Sequence, residues 1–198
     1  LIPKSENTSK LVLKGIDIRL EKILINNYLL SAEFYSLQEN KLIINNIPNK
    51  EFIIEIHSKI NPYDNTSLEG LYSSSEILTT QCEAEGFRRI SFHPDRPDVL
   101  SKFKVRIEAD INHYPVLLSN GNKISSSLLK DLKSRHEVVW EDPFPKPSYL
   151  FALVAGNLSN VNSKYRTITG RDISINIFVE EGDQIYTKHA IDSLKKAM

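Results

Sequence analysis

The sequence predicts an all-β protein, a saddle-shaped or sandwich-like array of many short antiparallel strands with one short helix at its C-terminal end. Three observations predict it. Apolar and polar residues alternate with a period of two along most of the chain, as in Phe103, Val105, Ile107 and Ala109 against Lys104, Arg106, Glu108 and Asp110. Clusters of Gly, Pro and Asn punctuate these runs at short intervals. Helical spacing occurs only near the end, where Ala190, Leu194 and Met198 fall four residues apart with Ile191 alongside.

Taken in order, residues Leu1 to Ser9 are polar, contain Pro3, and read as a loose leader. Leu11-Val12-Leu13 is a short strand closed by Gly15. Ile16 to Asn26 continues the alternation through Ile18, Leu20, Ile23 and Ile25, and Asn26-Asn27 is a turn signal. Tyr28 to Leu37 and Lys41 to Ile47 read as two further strands. Phe52, Ile54, Ile56 and Ile60 alternate with Glu55, His57 and Lys59 in a half-buried strand bracketed by Pro48 and Pro62. Proline belongs at such borders because it cannot donate to a ladder.

The break at Pro94 to Asp98 is followed by one expected helical turn over Pro97 to Ser101, then by the clean strand from Phe103. Val116-Leu117-Leu118 leads into Asn120-Gly121, a type I′ hairpin signal. Glu137 to Glu141 is another strand. Asp142 to Pro147 has three prolines at alternate positions, which predicts an extended connector without ladder bonds. Tyr149 to Ala155 is almost wholly apolar and reads as a central strand. Tyr165 to Thr169 and Ile173 to Val179 form a hairpin around Gly170. The expected organisation is a leader over 1–9, a β-rich domain over 10–182, and a helix starting within 183–198.

At 198 residues the chain can bury a substantial core. Lys plus Arg equal Asp plus Glu at 25 each, so no global field draws in nucleic acid or an anionic membrane. No apolar run approaches the roughly 20 residues that span a bilayer. One cysteine, Cys82, excludes an internal disulfide and points to a reducing, cytoplasmic setting, where the sequons at Asn7, Asn65 and Asn157 carry no meaning. A chain that opens on Leu1 and holds its only methionine at Met198 is expected to be a piece of a longer protein.

The stretch that organises the chain is Thr79 to Ile90, T-T-Q-C-E-A-E-G-F-R-R-I. Read as a strand, it puts Gln81 and Glu83 on one face about 6.6 Å apart, with Cys82 and Ala84 on the other. Gly86 then allows a bend before Phe87 to Ile90 resume the extended pattern. On spacing alone, Gln81 and Glu83 read as an ordinary solvated strand face. Cys82 reads as a buried structural thiol, and Arg88-Arg89 as a solvated or salt-bridged strand end. The five histidines, His57, His93, His113, His136 and His189, include no pair at i, i+4 and no H-E-x-x-H. Each reads as a surface or loop residue, and a zinc site within this chain is not expected.

That stretch, together with F-H-P-D-R-P-D-V-L from Phe92, L-S-N-G-N at Leu118–Asn122 and D-P-F-P-K-P-S-Y-L-F-A-L-V-A-G at Asp142–Gly156, resembles the N-terminal domain of the zinc aminopeptidase N family, in its bacterial branch. Many relatives carry an F-P-C-F-D-E-P-like run where this chain has Phe92-His93-Pro94-Asp95-Arg96-Pro97, which supports that branch. The resemblance implies the saddle-shaped domain. It also implies that Gln81 lines the first specificity pocket and that Glu83 grips the α-ammonium of a peptide substrate. The family's H-E-x-x-H helix, further Glu ligand and G-A-M-E-N loop lie beyond the position of residue 198. The resemblance therefore implies Zn2+ in the longer protein, a downstream catalytic domain as this chain's partner, and no hydrolysis by this chain alone. A non-catalytic scaffold sharing the architecture is the alternative reading.

Overall fold

The computed structural model describes residues 9–130 and 134–198. The leader expected over 1–9, with its Asn7 sequon, lies outside the described residues apart from Ser9.

Among the described residues, fifteen strands and one α-helix follow in order. They are β1 (Lys10–Lys14), β2 (Arg19–Ile25), β3 (Tyr28–Leu29), β4 (Tyr35–Gln38), β5 (Lys41–Asn45), β6 (Ile54–Lys59), β7 (Gly70–Ser74) and β8 (Ile77–Gln81). Then come β9 (Leu100–Asp110), β10 (Val116–Ser119), β11 (Asn122–Leu128), β12 (Arg135–Pro147), β13 (Leu153–Gly156), β14 (Ser159–Arg166), β15 (Asp172–Val179) and α1 (Thr187–Ala197). The strands form five sheets, ordered β1-β5-β4, β3-β2-β6, β10-β13-β8-β7, β11-β12-β9 and β14-β15. Every pairing is antiparallel, as the all-β reading requires.

The period-two alternation explains where the core sits. Leu13 on β1, Leu42 and Ile44 on β5 and Ile23 on β2 turn inward and meet Phe52 and Phe92, burying the facing sides of the first two sheets. Ile23, Leu42 and Ile44 are fully buried, and each such side chain contributes about 1.5–3 kcal/mol. A second layer joins Leu117 on β10, Ala155 on β13 and Val138 on β12, so the four-stranded sheet packs on β11-β12-β9. A third cluster of Cys82, Phe87 and Phe151 lies under the organising stretch, with Phe103 and Val105 of β9 packed against it. Phe87 meets Phe151 edge-on at 5.1 Å and His93 edge-on at 4.9 Å.

Several local expectations are corrected. The strand expected over Tyr28 to Leu37 is broken by a 3₁₀ turn, Ala32–Phe34, closed by the Phe34 N–H on the Ser31 carbonyl. The helical turn expected over Pro97 to Ser101 reduces to a simple turn, because β9 already starts at Leu100 and takes its ladder bonds from β12. Tyr149 to Ala155 opens as a 3₁₀ turn, Ser148–Leu150, and only β13 is strand; β13 is nevertheless interior to its sheet. The proline run is extended, but both its ends join the ladder, Asp142 opposite Phe103 and Pro147 opposite Leu100. A register shift between Asp142 and Lys146 accommodates Pro143 and Pro145, which have no N–H to offer.

Asn120-Gly121 is not a hairpin. β10 pairs with β13 and β11 with β12, so the chain crosses from one sheet to another at this point. Gly121 has φ +88°, but Asn120 does not have the positive φ that a type I′ turn also needs. A hairpin does turn at Gly170, but its first strand runs over Ser159–Arg166 instead of Tyr165 to Thr169, and Thr167 to Thr169 lie in the connection to Asp172. Among the histidines, His136 is buried on β12 with Nε2 bonded to the Tyr114 carbonyl at 2.8 Å, which makes it a core residue and not a surface one.

Candidate functional site

The organising stretch is a strand for only its first three residues. β8 ends at Gln81, residues 83–85 form a turn in which the Glu83–Ala84 peptide is cis, and Gly86–Arg89 is a 3₁₀ turn. Gln81 and Glu83 therefore do not share a strand face, and Phe87 to Ile90 do not return to extended backbone. The physical reason lies at Gly86. Its N–H closes the turn on the Cys82 carbonyl at 2.8 Å, and a Cβ there would stand 2.3 Å from the Gln81 carbonyl and 2.9 Å from the Gly70 nitrogen. The backbone is packed this tightly because position 86 has no side chain.

The turn still brings the two residues together. The Gln81 carboxamide donates from Nε2 to the Glu83 carbonyl at 3.1 Å, and both side chains are exposed. Between them Cys82 is 3% exposed and points into the aromatic cluster. A buried residue flanked by two exposed ones holds the rim by its middle, leaving the Gln81 and Glu83 side chains at the surface.

Burial, reinforced by the Asp95 carboxylate, pushes the Cys82 thiol up to about 12. At pH 8 only about one thiol in ten thousand is then ionised, and the thiolate is the reactive form. Cys82 in the native chain is accordingly expected to react with an aromatic disulfide reagent at least about a hundredfold more slowly than in the denatured chain. Equal rates in the two states would overturn the burial assignment.

Beneath the rim lies an ion-pair support that the sequence reading missed. Asp95 is 3% exposed. Its Oδ2 accepts from Arg88 Nε at 2.7 Å and from the Arg88 backbone N–H at 3.2 Å, while its Oδ1 accepts from Ser148 Oγ at 2.6 Å. Arg88 also donates to the Asp95 carbonyl at 3.1 Å and pairs with Glu85 at 2.8 Å. The neighbouring Asp95 and Glu85 carboxylates hold the Arg88 guanidinium above its usual range despite the opposing effect of burial. Arg89 reaches the other way, to Asp17 and to Glu69. Both arginines are salt-bridged, as read from the sequence, but from a 3₁₀ turn instead of a strand end. No signal within the stretch itself pointed to Asp95; an acid among prolines following two arginines was the only hint.

Among the described residues, no group of three or more His, Cys, Asp or Glu side chains is placed to hold a metal ion. No helix among them is long and apolar enough to cross a membrane.

Residues 4–150 match the model of the peptidase M1 N-terminal domain. The chain belongs to that family. Aminopeptidase N of Caulobacter vibrioides is 47% identical over 188 residues, covering 95% of this chain and 21% of the relative. Aminopeptidase N of Escherichia coli is 44% identical over 186 residues, covering 94% and 21%. This M1 N-terminal domain chain thus spans about a fifth of the length of these curated relatives. The crystal structure of Legionella pneumophila aminopeptidase A in complex with aspartic acid superposes with a TM-score of 0.94 at 40% identity, over all of this chain and 23% of that one. An M1 zinc metallopeptidase from Deinococcus radiodurans shares the fold at 14% identity, with a TM-score of 0.73 over 94% of this chain and 44% of that one.

Proposed function

We propose that this chain is the substrate-site-completing N-terminal domain of a zinc metallo-aminopeptidase that removes residues from the amino end of peptides. Glu83 holds the substrate's α-ammonium and Gln81 lines the pocket for the first side chain. The observation that carries the proposal is the Gln81–Glu83 rim, two exposed polar residues anchored by the buried Cys82, in a chain whose family relatives are aminopeptidases. Those relatives favour the enzymatic reading over a non-catalytic scaffold.

An aminopeptidase must recognise a charge that exists only at the chain's end. The α-amino group has a reference pKa near 7.7–8.0 and is mostly cationic at pH 7. A carboxylate at a fixed position then selects the first peptide bond by its distance from the amine it holds. The zinc of such an enzyme belongs to a downstream catalytic domain, the partner of this one. This chain supplies binding and orientation, and hydrolyses nothing by itself. The lone thiol suits a reducing, cytoplasmic setting.

The test is Gln81→Ala in the longer protein, read as the kcat/KM ratio between alanyl substrates and substrates with larger first residues. The expected result is a changed ratio with a modest general loss, about two- to tenfold for one neutral hydrogen bond. An unchanged ratio and rate would mean that this chain does not line the site.

A further inference from the structure

We infer that Asn120 is a positioning residue for the Gln81–Glu83 rim, its carboxamide extending a sheet past its last backbone pair and fixing the edge against which Gln81 lies. The inference rests on the reading above, that Gln81 lines a substrate pocket.

The last backbone pair between β10 and β13 is Ser119 with Leu153. One residue further on, side chains replace the ladder. Asn120 Oδ1 accepts the Ala152 N–H at 2.6 Å, and Asn120 Nδ2 donates to the Leu150 carbonyl at 3.0 Å. Ser119 Oγ donates to the Ala152 carbonyl at 2.8 Å. A carboxamide offers one acceptor and one donor at the spacing of a peptide group, so Asn120 acts as an additional strand residue without being one.

The opposite edge of β13 is treated in the same way. Thr80 Oγ1 accepts the Leu153 N–H at 2.9 Å and donates to the Leu153 carbonyl at 3.3 Å. The segment at Ala152 and Leu153 is therefore gripped by side chains from both neighbouring strands. The β8–β13 ladder ends at Thr79 with Val154, and beyond it Thr80, the residue before Gln81, grips Leu153, the residue after Ala152, by its side chain. Whatever holds Ala152 thus bears on the Gln81 backbone through Leu153 and Thr80.

Asn120 can do this because the residue after it is glycine. A Cβ at Gly121 would stand 2.2 Å from the Glu141 carbonyl, and the φ of +88° is one that L side chains rarely adopt. The chain is pressed against β12 at this point, which gives the carboxamide a fixed base. Three sequence blocks that lie far apart in the chain, around Gln81, Asn120 and Ala152, meet at this one sheet end.

The test is a double-mutant cycle in the longer protein, with Asn120→Ala, Gln81→Ala and the pair, read as kcat/KM for substrates differing in the first residue. Asn120→Ala is expected to lower kcat/KM about two- to tenfold. It should change KM more than kcat and shift the first-residue preference in the same direction as Gln81→Ala. The double variant should fall within about twofold of the worse single variant, because the two residues act on one element. Asn120→Asp keeps the bond to the Ala152 N–H and sets an oxygen against the Leu150 carbonyl; it should shift the preference the same way if alanine folds poorly. Losses that multiply, or an Asn120→Asp preference identical to wild type, would overturn the inference while leaving the pocket assignment intact. A Gln81→Ala variant with unchanged preference would overturn the pocket assignment, and this inference with it.

Discussion

Glu83→Ala is expected to lower kcat/KM for substrates with a free amino terminus by about ten- to 150-fold in the longer protein. The magnitude follows from losing one charge-assisted hydrogen bond, about 1.5–3 kcal/mol. The side chain is exposed at a turn whose backbone is fixed by the Gly86 bond to the Cys82 carbonyl and by the Gln81 carboxamide, so truncation at Cβ leaves the turn's own bonds in place. The loss should fall on the ammonium and not on the fold. N-acetylated analogues, which carry no cation, should therefore lose far less, and discrimination between free and acetylated alanyl substrates should narrow. If the ratio between the two substrates stays at its wild-type value, Glu83 is a solvated turn residue and nothing more.

Asp95→Ala is expected to destabilise the chain by about 3–5 kcal/mol, the usual cost of removing one partner of a buried pair. Asp95 has a side chain 2% exposed and Arg88 one 12% exposed, so neither is screened by water as a surface pair would be. Alanine at 95 leaves the Arg88 guanidinium, the Arg88 N–H and the Ser148 hydroxyl without their shared acceptor. The change should appear as a lower urea midpoint with an unchanged slope. Arg88→Ala with Asp95→Ala should cost less than the sum of the single changes, since the two residues share one hydrogen-bonded ion pair. A loss below about 1 kcal/mol for Asp95→Ala would show that water reaches the pair.

Much of the fold was legible because a half-buried strand writes its two faces into the sequence. Phe103 to Ile107 alternates in the structure as it does in the sequence, with outward Lys104 and Arg106 paired with Glu141 and Glu137 across the ladder, while Ile107 to Asp110 are all half-buried. The failures share one cause: alternation describes a strand's faces but not its partner. Asn120-Gly121 carries a turn signature, yet β10 and β11 are taken by different sheets, and the carboxamide is spent on β13 instead of on a reverse turn. Gln81 and Glu83 were legible as a pair, but their geometry was not. The contact that ends the strand is the close approach of Gly86 to Gln81 and to Gly70, the latter 16 positions earlier on the neighbouring strand β7. Asp95 and Ser148 were illegible for the same reason, lying 53 residues apart.

The side-chain grip of Thr80 on Leu153 spans 73 residues of sequence. That separation sets an order of events. A ribosome releasing this chain from its amino end exposes Gln81, Cys82 and Glu83 well before the strand that braces them exists. Closing so long a loop costs entropy that no local contact repays, and topologies built on such distant pairs fold slowly. Until Phe151 emerges, the Cys82–Phe87 apolar surface has no partner ring to cover it. During synthesis that apolar surface stays open for this interval, and a pause placed before Phe151 emerges would prolong it.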